Sequence, residues 1–215
     1  MVRNRSNRQV KPSTTPDPAS AKAAQRFNIT VDILDVWHAG SGRGAGHRLD
    51  AIVVRDAQGL PYLPGRHLRG LLREAAECIE TWGHAKEAPK LTDRLFGARR
   101  VPDQPQPAPG TLKISNAVLL PQVQAWFHAN PEAIQELFIS THHTAMDGKS
   151  GTAKAKSLRG IELVVPLTLH AEMTSEQHER AYWSAFKPAF DLVRNVGAMR
   201  HRGYGRASLT VEAEK

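Results

Sequence analysis

A chain of 215 residues is long enough to bury a sizeable core, and its 40% hydrophobic and 23% charged content is the balance of a globular domain. No run of about 18 apolar residues occurs, so no membrane-spanning helix is expected; the basic, polar start without an apolar segment argues against a secretory signal and for a cytoplasmic protein. One cysteine, Cys78, excludes an internal disulfide and any multi-cysteine zinc site, and its place on a predicted helix suits a buried small side chain.

The net charge of +8 points to an anionic partner, but the charge is unevenly placed. Residues 1–26 hold Arg3, Arg5, Arg8, Lys11, Lys22 and Arg26 against Asp17 alone, a local +5 that leaves +3 for the rest. This segment lacks aromatic residues and apolar periodicity, so it reads as a disordered basic tail, either an electrostatic arm or a solubilising one. The folded unit is expected over 27–215.

In FNITVDILDVW, Phe27, Ile29, Val31 and Ile33 alternate onto one face of a first strand. The glycine-rich HAGSGRGAGHR follows, then the β-branched run DAIVVR, a turn, and the punctuating Pro64 and Gly65. RHLRGLLREAAECIE repeats Leu68, Leu71, Leu72, Ala75, Ala76 and Ile79 at helical offsets, which leaves Arg69, Arg73 and Glu77 outside. LTDRLFG reads as a short helical turn, the proline-broken 99–110 as a loop, and TLKISNAVLL as a strand. Between Pro121 and Ile139 helix is favoured around PEAIQELF. THHTAMDGKSGTAKAK has the composition of a protruding hairpin or loop, and SLRGIELVVPLTLHAEM reads as one strand. Thr174 and Gln177 suggest a capping box for a last helix with Tyr182, Ala185, Phe186, Ala189, Phe190 and Val193 inside, broken at Pro188. Ala207, Leu209 and Val211 close the chain as a strand. The order suits an α+β sheet covered by helices, an elaborated ferredoxin-like fold.

Gly40, Gly42 and Ala45 nominally match a dinucleotide fingerprint, but a strand follows where that fingerprint opens a helix. With Arg43, His47 and Arg48, the loop instead can offer amides and cations to a phosphodiester backbone; as an isolated feature, a mobile hairpin connection explains it better. The ten histidines lack ligand spacing, and adjacent His142 and His143 point apart on a strand. Asp50 is a lone carboxylate beside cations, by itself a salt-bridge partner before a catalyst. GAMRHRGYGR combines Gly197, Gly203 and Gly205, which permit close backbone approach, with Arg200, Arg202 and Arg206, which suit phosphates, and with Tyr204, which can stack on a base or pack inward. That density of glycine and arginine favours RNA-backbone binding.

Four ordered segments resemble a known family. LDAIVVRDAQGLPYLPGRHLRGLLREAAE is similar to the signature of RAMP proteins in type III CRISPR effector complexes. DRLFGARR resembles that family's Leu-Phe-Gly segment, TAMDGKSGTAKAKSLRGIELVVP its thumb hairpin, and GAMRHRGYGR its terminal glycine-rich loop. The resemblance runs from Phe27 to Val211. It implies an RNA-recognition-type fold with a thumb insertion near 140–158, and a backbone subunit that binds a guide CRISPR RNA beside copies or relatives of itself and other effector subunits. It implies RNA contacts at His38, Arg43, Arg48, Arg66 and Arg69, at Met146, Lys149 and Lys154 of the thumb, and along the terminal loop. It also implies cleavage of complementary target RNA at Asp50 with Mg²⁺ or another divalent metal. Arg66 and His67 stand where the family has a serine pair, and Asn116 where it often has an aspartate. Two other functions compete: a structural guide-binding subunit without activity, and a metal-independent guide-processing endoribonuclease using histidine acid–base chemistry.

Overall fold

The alternation in QRFNITVDI builds the central strand of the molecule. In the computed structural model, which describes residues 24–46, 49–102 and 105–214, β1 (Gln25–Ile33) sends Ile29, Val31 and Ile33 into the core and turns Asn28 and Asp32 to solvent. It pairs antiparallel with β5 (Leu167–Ser175) on one side and β6 (Ala207–Ala213) on the other, with Val31 opposite both Leu169 and Leu209. The short β2 (Leu112–Ile114) adds to β5, giving the order β2-β5-β1-β6. With one helical layer between β1 and β2 and another between β5 and β6, this is an elaborated ferredoxin-like α+β fold. All but three residues of the expected basic tail lie outside the described residues, and among those described no helix is long and apolar enough to cross a membrane.

Helix α1 (Gly65–Thr81) buries Leu68, Leu71, Leu72, Ala75, Ala76 and Ile79, the apolar stripe expected from its periodicity. Leu68 and Leu72 are fully enclosed, so truncating either to alanine costs about 2–5 kcal/mol. Pro64 precedes the helix, and Asn116 Oδ1 accepts from Gly65 N at 2.9 Å, so a remote amide performs the capping that no local side chain supplies. Thus Asn116 has a structural task of its own. Helix α2 (Leu91–Phe96) packs on α1, and Phe96 meets Phe186 edge to face. The last helix is broken as its proline requires: α4 (Arg180–Phe186) ends before Pro188, and α5 (Pro188–Leu192) restarts there.

Several expectations are corrected. Residues 157–173 are not one strand: β4 (Arg159–Val164) and β5 belong to different sheets, divided at Val165 and Pro166, because proline cannot donate to a ladder. β4 pairs instead with β3 (Phe138–His143), and Met146–Ala153 bridges the hairpin beyond them. PEAIQELF is a 3-10 helix over Pro131–Leu137, preceded by α3 (Pro121–Ala129). Thr174 lies within β5, and α4 has no side-chain cap; Gln177 Oε1 accepts from Glu179 N. Cys78 is half-buried rather than buried. The run Ala51–Arg55 is extended but makes only isolated bridges, among them Ala51 with Ile161 and Val53 with Gly40.

Candidate nucleic-acid interface

Three segments far apart in sequence meet at one end of the sheet: the glycine loop after β1, the start of α1, and the loop between α5 and β6. The first is anchored at Trp37, fully buried, whose N donates to Val164 O and whose Nε1 donates to Val165 O. Beyond it the chain folds back as a hairpin, with Ser41 N donating to Ile52 O, Ile52 N to Arg43 O and Ala45 N to Leu49 O. No helix opens here, so the glycine spacing serves a hairpin and not a dinucleotide fold. Arg43 is exposed on this hairpin; Arg48 lies outside the described residues.

Asp50 ends the hairpin against the foot of the thumb. Its N donates to Gly160 O at 2.8 Å, and its Oδ2 accepts from Gly160 N at 2.8 Å, so one glycine of β4 is gripped from both sides. The residue is exposed, and among the described residues its carboxylate has no ion-pair partner. Two positions along, Glu162 is 8% exposed; its Oε2 accepts from Val53 N at 3.0 Å, and its Oε1 pairs with Arg55 at 2.7 Å. The Arg55 guanidinium also lies 3.6 Å from the Phe138 ring centre. This buried carboxylate therefore welds the strand carrying Asp50 to both strands of the thumb sheet.

The terminal loop is set by backbone fit. Gly197 has φ +80°, and a Cβ there would lie 2.5 Å from His38 O; Gly205 has φ +68°, and its Cβ would overlap Val196 O. Both positions demand glycine. Ala198 N donates to His38 O at 2.7 Å, which seats this loop on the first one. His67 Nε2 accepts from Gly197 N at 2.9 Å and so ties α1 to the same junction. Burial holds the His67 imidazole below its ordinary pKa, and the nearby Arg200 charge adds to that shift. Arg200 reaches Glu74 at 3.5 Å, while Arg202, Gly203 and Arg206 are exposed. Tyr204 is half-buried, its OH 3.1 Å from His143 Nε2, which joins the terminal loop to the thumb root.

His38 is 4% exposed, and its Nδ1 lies 2.7 Å from Glu162 O. Arg66 is exposed at the first turn of α1 and lines an open pocket of about 190 Å³ with His38, Gly40, His67 and Gly197. Arg69 is committed within the fold: its guanidinium donates to Phe96 O at 2.8 Å and Leu112 O at 3.3 Å. On the thumb, Met146 is 63% exposed, and Lys149 and Lys154 are exposed beside it. Asp147 Oδ1 accepts from Lys149 N and Ser150 N, and those amides draw the Asp147 pKa down.

The predicted RNA contacts thus divide. His38, Arg66 and Gly197 share one pocket, with Arg200 close by on His67, while the thumb tip stands apart and Arg69 turns inward. His67 and Glu162 went unassigned by sequence reasoning; their roles depend on partners 130 and 109 positions away, and only the replacement of a small residue by His67 hinted at either. Among the described residues, no group of three or more His, Cys, Asp or Glu side chains could cage a metal ion. Asp50 by itself can supply one ligand to an ion shared with other oxygen donors.

Residues 30–208 match the family model described as the RAMP superfamily. No curated protein matches in sequence. Among solved structures, a chain of the type III-B Cmr-beta bound to cognate target RNA aligns with TM-score 0.65 at 10% identity, over 89% of this chain and 98% of that one. A chain of the same assembly in its apo state aligns with TM-score 0.60 at 10% identity, over 86% and 96%. At that identity the likeness speaks for the fold.

Proposed function

The chain belongs to the RAMP superfamily, and on that premise we propose that it is a guide-RNA-binding backbone subunit of a type III CRISPR effector complex that also cuts complementary target RNA at Asp50. The observation that carries this reading is the grip of Asp50 on Gly160, which fixes an exposed carboxylate at the foot of a protruding hairpin, beside loops rich in glycine and arginine. Arg43, Arg66, Arg200, Arg202 and Arg206 neutralise guide phosphates, while the loop glycines let the strand approach the backbone. The hairpin tip, which carries Met146, Lys149 and Lys154, wedges apart the guide–target duplex. Solved relatives in fold include an assembly bound to target RNA, which supports the same class of partner here.

A divalent cation, Mg²⁺ or another, would be held by Asp50 together with phosphate oxygens of the RNA, and would supply stabilisation of the charge that develops there. Asp50 would then hold one ligand position beside the scissile phosphate, with the 2′-hydroxyl of the cut nucleotide as nucleophile: its oxygen bonds to phosphorus as a 2′,3′-cyclic phosphate, the bond from phosphorus to the 5′-oxygen breaks, and the proton lost at the 2′-oxygen is balanced by one gained at the leaving 5′-oxygen. A second reading, a guide-binding subunit without activity, draws on the lack of a metal cage among the described residues. The guide-processing alternative is disfavoured by the complete hairpin insertion that β3 and β4 carry.

The test is cleavage of guide-complementary RNA by the assembled complex with Mg²⁺. Asp50→Ala is expected to lower cutting by on the order of 100-fold or more with target binding retained. Unchanged, evenly spaced cuts would move catalysis elsewhere and leave the scaffold role. Activity that survives chelation would favour the histidine mechanism.

A further inference from the structure

The pocket between the first loop and α1 holds two imidazoles whose tautomers are fixed by their backbone partners. A carbonyl oxygen only accepts, so the His38 nitrogen facing Glu162 O must be Nδ1–H, which leaves Nε2 as an unprotonated acceptor in the neutral ring. A backbone amide only donates, so His67 Nε2 must accept from Gly197 N, which places the proton of its neutral ring on Nδ1. His38, His67 and Arg66 line one pocket, and in neutral rings these backbone partners leave His38 Nε2 to accept and His67 Nδ1–H to donate.

His38 Nε2 has no hydrogen-bond partner among the described residues, although the side chain is almost wholly enclosed. Nε2 is not among the buried polar atoms left without a partner, so it is the part of the ring that solvent reaches. Its approach runs over Gly40: a Cβ built there would lie 3.0 Å from Nε2 and 3.6 Å from Cδ2. Gly40 is exposed and its φ is not in the left-handed region, so nothing in its backbone requires glycine. What its missing side chain provides is open access to the ring edge.

We propose that this pocket reads the sugar of a bound RNA strand: His38 Nε2 accepts the hydrogen bond of a ribose 2′-hydroxyl, His67 Nδ1–H donates to an oxygen of the same nucleotide, and Arg66 holds its phosphate. A group that both donates and accepts beside an anion is what the 2′-hydroxyl and phosphate of RNA present, and DNA lacks the donor. The inference rests on the RNA-binding reading above and adds a basis for choosing RNA over DNA. His38 becomes a sugar-reading residue, and Gly40 the residue that keeps its nitrogen reachable.

The test measures the affinity of the full chain for a single-stranded RNA and for the DNA of the same sequence at one salt concentration, by fluorescence anisotropy. The ratio of the two affinities is compared among the native protein, Gly40→Ala and His38→Phe. Loss of one neutral hydrogen bond should shrink the RNA preference by roughly three- to tenfold in both variants. Because the readout is a ratio, general weakening of binding does not imitate it, and Gly40→Ala on an exposed loop covers the case in which His38→Phe fails to fold. An RNA preference unchanged in a folded Gly40→Ala protein overturns the sugar-reading role while leaving RNA binding intact. Failure of the native chain to bind either strand overturns the RNA-binding reading and this inference with it.

Discussion

The open face of the four-stranded sheet and the loop end of the molecule offer RNA two opposite surfaces. On the open face, the alternation of β1, β5 and β6 displays Arg26, Asn28, Asp32, Thr168, Glu172, Ser208, Thr210 and Glu212, with Thr30 and His170 half-buried among them, a polar and net acidic set without a single Phe, Tyr or Trp. A sheet of this topology that binds single strands does so by stacking bases on aromatic side chains, and this face offers only the half-buried His170, whose Nδ1 lies 3.4 Å from Thr30 Oγ1. The loop end has the reverse character: glycines admit the backbone, Arg43, Arg66, Arg202 and Arg206 stand exposed, and Arg66 lines a pocket with His38 and His67. A shared fold does not by itself fix where a nucleic acid would lie; on the reading proposed above, side chains at the strand ends do.

The largest break in this comparison is expected at Gly205. Gly205→Ala forces a left-handed alanine into the Val196 carbonyl and should destabilise the fold by more than about 2 kcal/mol. Gly203→Ala, with φ +86° and no atom within 4 Å of its Cβ, should cost only the dihedral preference of about 1–2 kcal/mol. Equal thermal unfolding shifts for the two would contradict the close-approach account of the terminal loop.

Replacing residues 144–158 by a short turn should disturb the spacing of target cuts in the assembled complex while guide binding persists. The segment lies beyond the β3–β4 ladder, so its removal leaves the Asp50–Gly160 grip in place. An unchanged cutting pattern would deny the hairpin its wedging task.

A smaller effect concerns pH. His67 is held neutral in the fold below its usual pKa of 6.5, so the unfolded chain takes up a proton first as pH falls. The stability contributed by the neutral ring is full above pH 6.5, declines below it, and levels off once the folded ring is protonated. Urea unfolding at several pH values should show this decline in the native chain and a shallower one in His67→Gln. The smallest effect is expected on the open face: Asp32→Asn with Glu172→Gln should leave RNA affinity within about twofold.

Much of this architecture was legible in the sequence. The apolar stripe of α1 and the alternation of β1 and β6 depend on neighbours within a turn or a strand, and those periods survive in any context. The split at Pro166 was not legible, because Val164, Val165 and Leu167 continue one apolar run, and only the pairing partners reveal that the run serves two sheets. Arg69 looked like an outward cation on its helix, yet the carbonyls of Phe96 and Leu112 capture it from other elements. Asp50 was named by resemblance, and its contact with Gly160 spans 110 positions that no local pattern records. Glu162 read as one more strand residue until Arg55 and Val53 met it in the core.

The central claim is that RNA phosphates lie along the loop end and not across the sheet. It is tested most directly by the salt dependence of RNA affinity in the native chain and in the combined Arg200→Ala, Arg202→Ala and Arg206→Ala variant. Three lost phosphate contacts on a single strand should weaken binding and reduce the slope of log affinity against log salt by about 2. An unchanged affinity and slope in a folded triple variant would contradict the account and return the open sheet face to consideration.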